Sequence, residues 1–543
     1  MLEDFAYEDN KMKRMYILIY SLFFSIAVFF SIKIPTQFTK VLWKDITVAD
    51  TVMCLIIFLV SVFLFWFLNR ALNNLVKINQ GNTEQNYILK SQYIYLVILL
   101  CWILFYLAFY PGNLSPDSYA SIEQALHHVY STAHPVLFTL LVKVTMQTGL
   151  HLFGNMNAAI ATFSITQMLV LDGILTYTIV WLQKHGVPKW FQYLTLAYFA
   201  LNPLIVRYSF TMWKDILFSG VMLLLVLFLY DVGVGEKKLN DNLTLIHFLI
   251  LATLVAFLRN RIIYAVIGIF ILLLFIYRRY WKKLLLAFAL TATLVLLIQG
   301  PLYSALNIKP SNFAEGQGVS LQQVAAVACE NGEISADEAE FINQIIPLED
   351  IPKAYNPSTV DNLKGYSTFD HEFLNSHPSE YIAVWRSVFF HNPWICIKAW
   401  LMTTRGFWGF NVCIEPFAIT WPSEELDIHQ VNIIKNLTGI DLTYLSNGIL
   451  VHIEDIPVVR RFFELGCLGW FGLFVTMRAV TQKRYKVLLS LLPLNLLWIV
   501  LIFSTPIFFE PRYMFVYNLA LPVLFFILLS NEGECVATES VKE

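Results

Sequence analysis

The chain has 543 residues, of which 57% are hydrophobic and only 14% charged, with a formal net charge of −2. Its mean hydropathy of +0.60 points to a bilayer as the solvent, and the absence of a basic face or motif argues against nucleic acid as a partner. A chain of this kind keeps its few charges for helix ends and functional sites, because a charge within the bilayer is expensive.

Apolar runs of the ~17–25 residues that a helix needs to cross the hydrocarbon core recur along the chain. They lie near 15–32, 49–68, 92–110, 157–183, 190–206, 211–231, 243–258, 262–277, 283–300, 457–477, 486–505 and 512–530. We therefore expect an all-α polytopic membrane protein of about twelve transmembrane helices. The first run leads into Lys33-Ile-Pro35 without a small-residue cleavage site, and reads as a retained helix. Basic clusters at Lys11 to Arg14, Arg70 to Lys90, Lys184 to Lys189, Lys237-Lys238, Arg278 to Lys283 and Arg478 to Lys486 all fall inside if both termini are cytoplasmic. That parity requires 134–152, which carries Lys143 in mid-run, to lie along the outer surface.

The expected organisation follows. Residues 1–91 hold a cytoplasmic tail and two accessory helices, and 92–300 a transmembrane core whose first outer loop is 111–156. Residues 301–456 form a mostly helical outer-face insertion, 457–530 three more helices, and 531–543 a cytoplasmic tail. Within the insertion, Ser335-Ala-Asp-Glu338 is a capping box, and the aromatic, amphipathic stretch 381–410 suits a helix pair in the interface. No internal repeat relates the two halves, which argues against a transporter of twelve spans in related bundles. The seven cysteines are scattered without a CxxC pair, so neither a disulfide framework nor a metal motif is indicated. No ligand spacing demands a metal, although a divalent ion is compatible with the chemistry below.

Cations at the expected outer ends of helices break the charge pattern: Arg207, Lys214, Arg259, Arg261 and Arg512. Converging at one depth, they could hold a phosphate, for which the guanidinium fork is well shaped. Singly, each would ordinarily be a snorkelling anchor. Beside them the first outer loop carries Asp117, Glu123 and His134. Ser115-Pro116-Asp117 also reads as a helix start, with Ser at the N-cap and Pro at N1, and His134-Pro135 reads similarly. Glu123 reads as a possible second acid or a solvated face.

Tyr110-Pro-Gly, Pro116-Asp-Ser118, His134-Pro135, Asn202-Pro203, Trp213-Lys-Asp215, Arg259-Asn260 with Tyr264, and Pro511-Arg-Tyr513 together resemble a bacterial branch of the integral-membrane GT-C glycosyltransferases, over roughly 92–530. The resemblance implies transfer of a sugar from a polyprenyl-phosphate carrier to an envelope glycan or lipid at the outer face of the plasma membrane. It further implies that Asp117 acts as base or positions the acceptor, with His134, Glu123 and Asp215 as positioning candidates. Arg259, Arg512, Arg261, Lys214 and Arg207 are the candidates for the lipid phosphate. Arg259-Asn-Arg-Ile262 departs from the Arg-Asn-Asn-Gly-like run expected there. Competing readings are a polysaccharide polymerase or ligase, and a transporter or lipid flippase, for which Asp172 is the clearest mid-span charge.

Overall fold

The computed structural model describes residues 2–34, 46–74, 89–235, 239–259, 262–412, 423–452, 455–505, 507 and 510–530. The described residues are 78% helical, with no strand among them. Helices of seven residues or more are numbered α1–α20 in chain order. They begin with α1 Leu2–Lys33, α2 Val48–Asn74, α3 Ser91–Ala108, α4 Pro116–His127, α5 Val136–Phe153 and α6 Met156–Lys184. Next come α7 Lys189–Leu201, α8 Pro203–Ser209, α9 Lys214–Val234, α10 Asn242–Leu258, α11 Ile263–Ile276 and α12 Trp281–Leu297. The remainder are α13 Gly318–Cys329, α14 Ala336–Ile345, α15 Pro378–His391, α16 Pro393–Trp408, α17 Leu442–His452, α18 Leu465–Thr481, α19 Leu488–Ser504 and α20 Phe515–Leu529.

Eight described helical segments are long and apolar enough to cross a membrane by length and composition, which makes this a multi-pass helical membrane protein. Seven coincide with runs expected from the sequence. The eighth is α5, which sequence analysis laid along the surface; it is 18 residues of apolar helix packed on the first turns of α6. Phe138 meets Phe163 edge to face at 5.7 Å. Any Cβ on Gly149 would sit 2.7 Å from the Ala159 Cα, so only glycine permits this approach. The other five expected runs are shorter helices. The run 190–206 is broken at Asn202, whose side chain accepts from the Leu204 and Ile205 amides (3.0 and 3.2 Å) and restarts the chain as α8 with Pro203 in its first turn.

The main core is built from α3, α6–α11 and α18–α20, with Phe407 and Trp408 of α16 reaching into it. A second core, held by Leu321, Ile342, Leu374, Tyr381 and Val388, lies within 313–396. There the Ser335 capping box forms as read, with Ser335 Oγ accepting from the Glu338 amide and Glu338 accepting from the Ser335 amide. A third, small core joins α4, α5 and the start of α6 through Ile122, Val142 and Ile160. The candidate site lies where these three cores meet.

Candidate functional site

The loop 110–118 is fixed by contacts to the strand-like segment 210–213. Gly112 has φ +136°, and a Cβ there would fall 2.9 Å from the Phe210 carbonyl oxygen, so Tyr110-Pro-Gly needs its glycine. The Asn113 amide donates to Phe210 O (3.1 Å) and the Met212 amide to Asn113 O (3.0 Å). Trp213 Nε1 donates to Ser115 Oγ (2.6 Å), and Ser118 Oγ donates to Met212 O (2.8 Å). These bonds lock the start of α4 against the start of α9. Ser115 and Ser118 form the cap of α4 between themselves. Asp117 is therefore free of the capping duty that its position suggested.

Instead, Asp117 Oδ2 accepts from Arg512 Nη1 at 2.6 Å and lies 3.7 Å from Lys214 Nζ. Burial acts to raise the Asp117 pKa, but Arg512, then Lys214 and His134, outweigh it and hold the carboxyl well below the usual range. Its side chain stays 36% accessible, so a ligand can reach it. Lys214 Nζ is also 3.1 Å from His134 Nδ1. An ammonium can only donate, which makes Nδ1 the acceptor and leaves the ring proton on Nε2. Burial first, then Lys214, push the His134 pKa down to about 4, so the ring is neutral at ordinary pH. His134 is followed by Pro135 as N-cap of α5, rather than by proline at the first helical position.

A second pair sits one residue further along α9. Asp215 Oδ1 is 3.2 Å from Arg259 Nη1, and Arg259 also donates to Tyr513 O at 3.2 Å. The Tyr513 ring lies between two guanidiniums, 5.1 Å from Arg259 Cζ and 5.2 Å from Arg512 Cζ, while Arg512 also stacks on Trp213 at 4.7 Å. These cation–π contacts let two like charges share a small volume. Glu510 completes the group at 3.1 Å from Arg512 Nε. Arg207, on α8, is buried with its Cζ 3.6 Å above the Phe109 ring. Among the described residues its Nε and Nη1 have no hydrogen-bond partner. Next to it in the chain, the buried Tyr208 packs its ring 5.2 Å from that of Trp213, on which Arg512 stacks.

A cavity of about 530 Å³ opens beside this cluster, within the size range of small-ligand sites. It is lined by His134, Lys214, Asp215, Arg259 and Tyr513 and by Thr132, Gln299, Tyr303, Ser311 and Glu315, with the apolar Val136, Ala256, Ile263 and Val295 among them. The structure thus brings together Asp117, His134, Lys214, Asp215, Arg259 and Arg512. Two candidates stand apart. Glu123 is exposed on α4 with no ion pair among the described residues, because its position a turn and a half beyond Asp117 turns it away. Arg207 rests on Phe109 and has no carboxylate partner among the described residues; like Asp117 and Arg512, it is not among the residues lining the cavity. Arg261, with Asn260, lies outside the described residues. Among the described residues no group of three His, Cys, Asp or Glu side chains assembles as a metal site. Sequence reasoning gave no role to Tyr513, Trp213, Gln299 or Tyr303; the first two were visible as neighbours of Arg512 and Lys214 in their motifs, the last two were not.

A family model matches residues 125–542, which is most of the chain. The protein belongs to the DUF6020 family, a family of unknown function. The DUF6020 match takes in His134, Arg207, Lys214, Asp215, Arg259 and Arg512, and begins just after Asp117 and Glu123. No curated protein and no solved structure matches the chain.

Proposed function

We propose that this protein is a membrane glycosyltransferase that moves a sugar from a polyprenyl-phosphate carrier to a cell-envelope glycan or glycolipid. In this reading the chain spans the plasma membrane about twelve times with both termini inside, and the site opens to the outside. The observation that carries the reading is the accessible Asp117 carboxylate held 2.6 Å from Arg512, beside a cavity walled by further cations.

The chemistry asks for a base and a stabiliser. The acceptor hydroxyl oxygen attacks the anomeric carbon, the carbon–oxygen bond to the phosphate breaks, and the acceptor proton passes to Asp117. The departing polyprenyl phosphate gains negative charge, which fixed guanidiniums stabilise. A single displacement inverts the anomeric configuration. Without donor, Arg512 and Lys214 make Asp117 a weak base. A donor phosphate competes for the same two cations, and so restores basicity to Asp117 as it binds.

Charge counting favours this donor over a pyrophosphate-linked one. Among the described residues, Lys214, Arg259 and Arg512 pair with Asp117, Asp215 and Glu510, and Arg207 lies buried with no carboxylate partner. Four cations against three carboxylates leave one positive charge, which a singly charged phosphodiester neutralises. A polymerase or ligase acting on a pyrophosphate would bring more negative charge than the cluster balances. A transporter would need charge along a path through the bundle, yet Asp172 accepts from Thr176 one turn away (3.3 Å) and joins no such row.

The test is a cell-envelope glycan profile of a deletion strain, paired with turnover by purified protein given prenyl-phosphate-linked sugars. One missing substituent, restored by the wild-type gene and matched by turnover, is expected. An unchanged envelope together with no turnover of any phosphate-linked sugar would sink the reading.

A further inference from the structure

The residues lining the cavity are of two kinds. Those from α9 and the end of α10 carry charge: Lys214, Asp215 and Arg259. The others make a mostly polar wall, in which Gln299 and Tyr303, beside the apolar Val295, come from a break in the helix that begins as α12. After Leu297 the chain widens into a π-turn, Ile298–Leu302, with Pro301 inside it. A π-turn shifts the side-chain phase of a helix and is frequent at functional sites; here it delivers Gln299 and Tyr303 to the cavity. Gln299 is exposed, and its amide makes no hydrogen bond among the described residues, so both its donor and its acceptor are available. Below them, Thr132 Oγ1 accepts from the Ser311 amide (2.8 Å), and the Thr132 amide donates to Lys309 O (2.9 Å). These bonds hold the Thr132 and Ser311 segments side by side. The one charge on this wall, Glu315, is answered by Lys364 at 3.0 Å.

Amide, phenol and hydroxyl groups in one cavity with Lys214 and Arg259 match a ligand with an anionic head and a polyhydroxylated, uncharged body. Resting on the phosphate-carried sugar reading above, we propose that Gln299 and Tyr303 form the sugar-binding wall of the cavity and select a sugar that bears no carboxylate. The amide donates to one sugar hydroxyl and accepts from a neighbouring one, and the Tyr303 ring packs against the apolar face of the pyranose. Glu315 shares Lys364 with Asp361, so the three groups together keep a negative charge that repels an acidic sugar and tolerates a neutral or amino one.

The test uses the full chain in lipid nanodiscs and calorimetric titration with three soluble probes: inorganic phosphate, glucose 1-phosphate and glucuronic acid 1-phosphate. The wild type is expected to bind glucose 1-phosphate about tenfold more tightly than phosphate, and glucuronic acid 1-phosphate no better than phosphate. Gln299→Ala and Tyr303→Ala should each remove most of the gain for glucose 1-phosphate and leave inorganic phosphate unchanged. Tyr303→Phe, which keeps the ring, should retain part of it. Thermal unfolding of each variant checks the fold, and since Gln299 is exposed its truncation should not shift it. Equal losses for glucose 1-phosphate and phosphate, or no loss for either, would overturn the sugar wall while leaving phosphate binding and the transfer reading standing. Preference for the glucuronic acid probe would overturn the selection against acidic sugars. A wild type that binds none of the three would overturn the transfer reading, and this assignment with it.

Discussion

Arginines are buried at both ends of α20, and what answers their charge differs. At its last turn, Arg484 Nη1 donates to Ile527 O (2.7 Å) and Nη2 to Ser530 Oγ (2.9 Å). Arg478 reaches Leu528 O (3.4 Å) and the Asn69 carbonyl and amide oxygens (3.1 and 2.9 Å). The final carbonyls of a helix lack intrahelical partners and carry partial negative charge, so these two cations complete the helix. At the first turn, Arg512 is answered by Asp117 and Glu510, and across the site Arg259 is answered by Asp215. Backbone carbonyls cannot leave their arginines without unmaking the helix. A carboxylate can be replaced by a phosphate oxygen with little change in charge or geometry. The same residue type is thus part of the fold at one end and exchangeable at the other.

The comparison breaks if the exchangeable end does no chemistry. Asp117→Asn keeps the size of the side chain, and the Ser115–Ser118 cap of α4 is untouched by it. We expect a folded protein whose transfer rate falls by about 10²–10⁴, the usual worth of a general base, measured on a phosphate-linked sugar. Near-normal turnover would remove Asp117 from the chemistry and leave it as a partner of Arg512 alone. Next in size is Arg512→Lys. Lysine keeps the charge and loses the planar fork, so a charged hydrogen bond of about 1.5–3 kcal/mol goes, or roughly 10–150-fold in donor affinity. A variant that binds donor as the wild type does would move the phosphate away from Arg512.

Arg207 sharpens the comparison, because neither carbonyl nor carboxylate answers it. Its guanidinium rests on Phe109 with two nitrogens unpaired, and burying an unpaired charge is costly. Arg207→Gln is expected to weaken donor binding about tenfold while raising thermal stability slightly, since the uncompensated charge goes. Weaker binding with unchanged kcat would fit a role in balancing the phosphate charge. A loss of stability with unchanged donor affinity would place Arg207 with the structural arginines instead.

The sequence made the charged half of this site legible because polar residues are scarce in an apolar chain and stand out. Asp117, Lys214, Arg259 and Arg512 were visible by that contrast alone. Glu123 was visible for the same reason and lies elsewhere, since helical phase rather than proximity along the chain decides which residues meet. The polar wall was not legible. Gln299 closes the apolar run 283–300 and Tyr303 lies just past Gly300-Pro301, where that run ends, and nothing in residue type announces that a π-turn carries the helix on to both. Lys143 and its flanking histidines suggested a surface helix at α5; the helix packs on α6 through Phe138, and Lys143 lies over the Tyr130 ring at 5.6 Å. Asn202-Pro203 was read within one long span, yet an amide cap followed by proline is a helix start wherever it occurs.

At the structural end, Arg484→Met should cost stability and spare chemistry. The variant leaves Ser530 Oγ without its donor and Ile527 O with only the long 3.5 Å bond from Ser530 Oγ, and an unsatisfied buried group costs about 1–3 kcal/mol. Denaturation of the purified protein should show that loss, while turnover per folded molecule stays as in the wild type. A matching fall in turnover would mean that the two ends of α20 are coupled.

The smallest effect expected is a pH dependence. His134 has its pKa pushed down to about 4 from an ordinary 6.5, so within that window the unfolded chain binds a proton that the folded chain refuses. Stability then rises with pH across the window: it is complete above 6.5, declines as the pH falls, and levels off near 4. Asp117, whose pKa lies below the ordinary 3.8, adds stability that is present above that value and is lost only at more acid pH, so the two windows barely overlap. His134→Asn retains an acceptor for Lys214 and cannot titrate. Melting temperatures measured from pH 7 to pH 4 should therefore show a shallower decline in the variant than in the wild type, with the two curves converging above 6.5. If both decline equally, His134 is not held neutral by burial and Lys214.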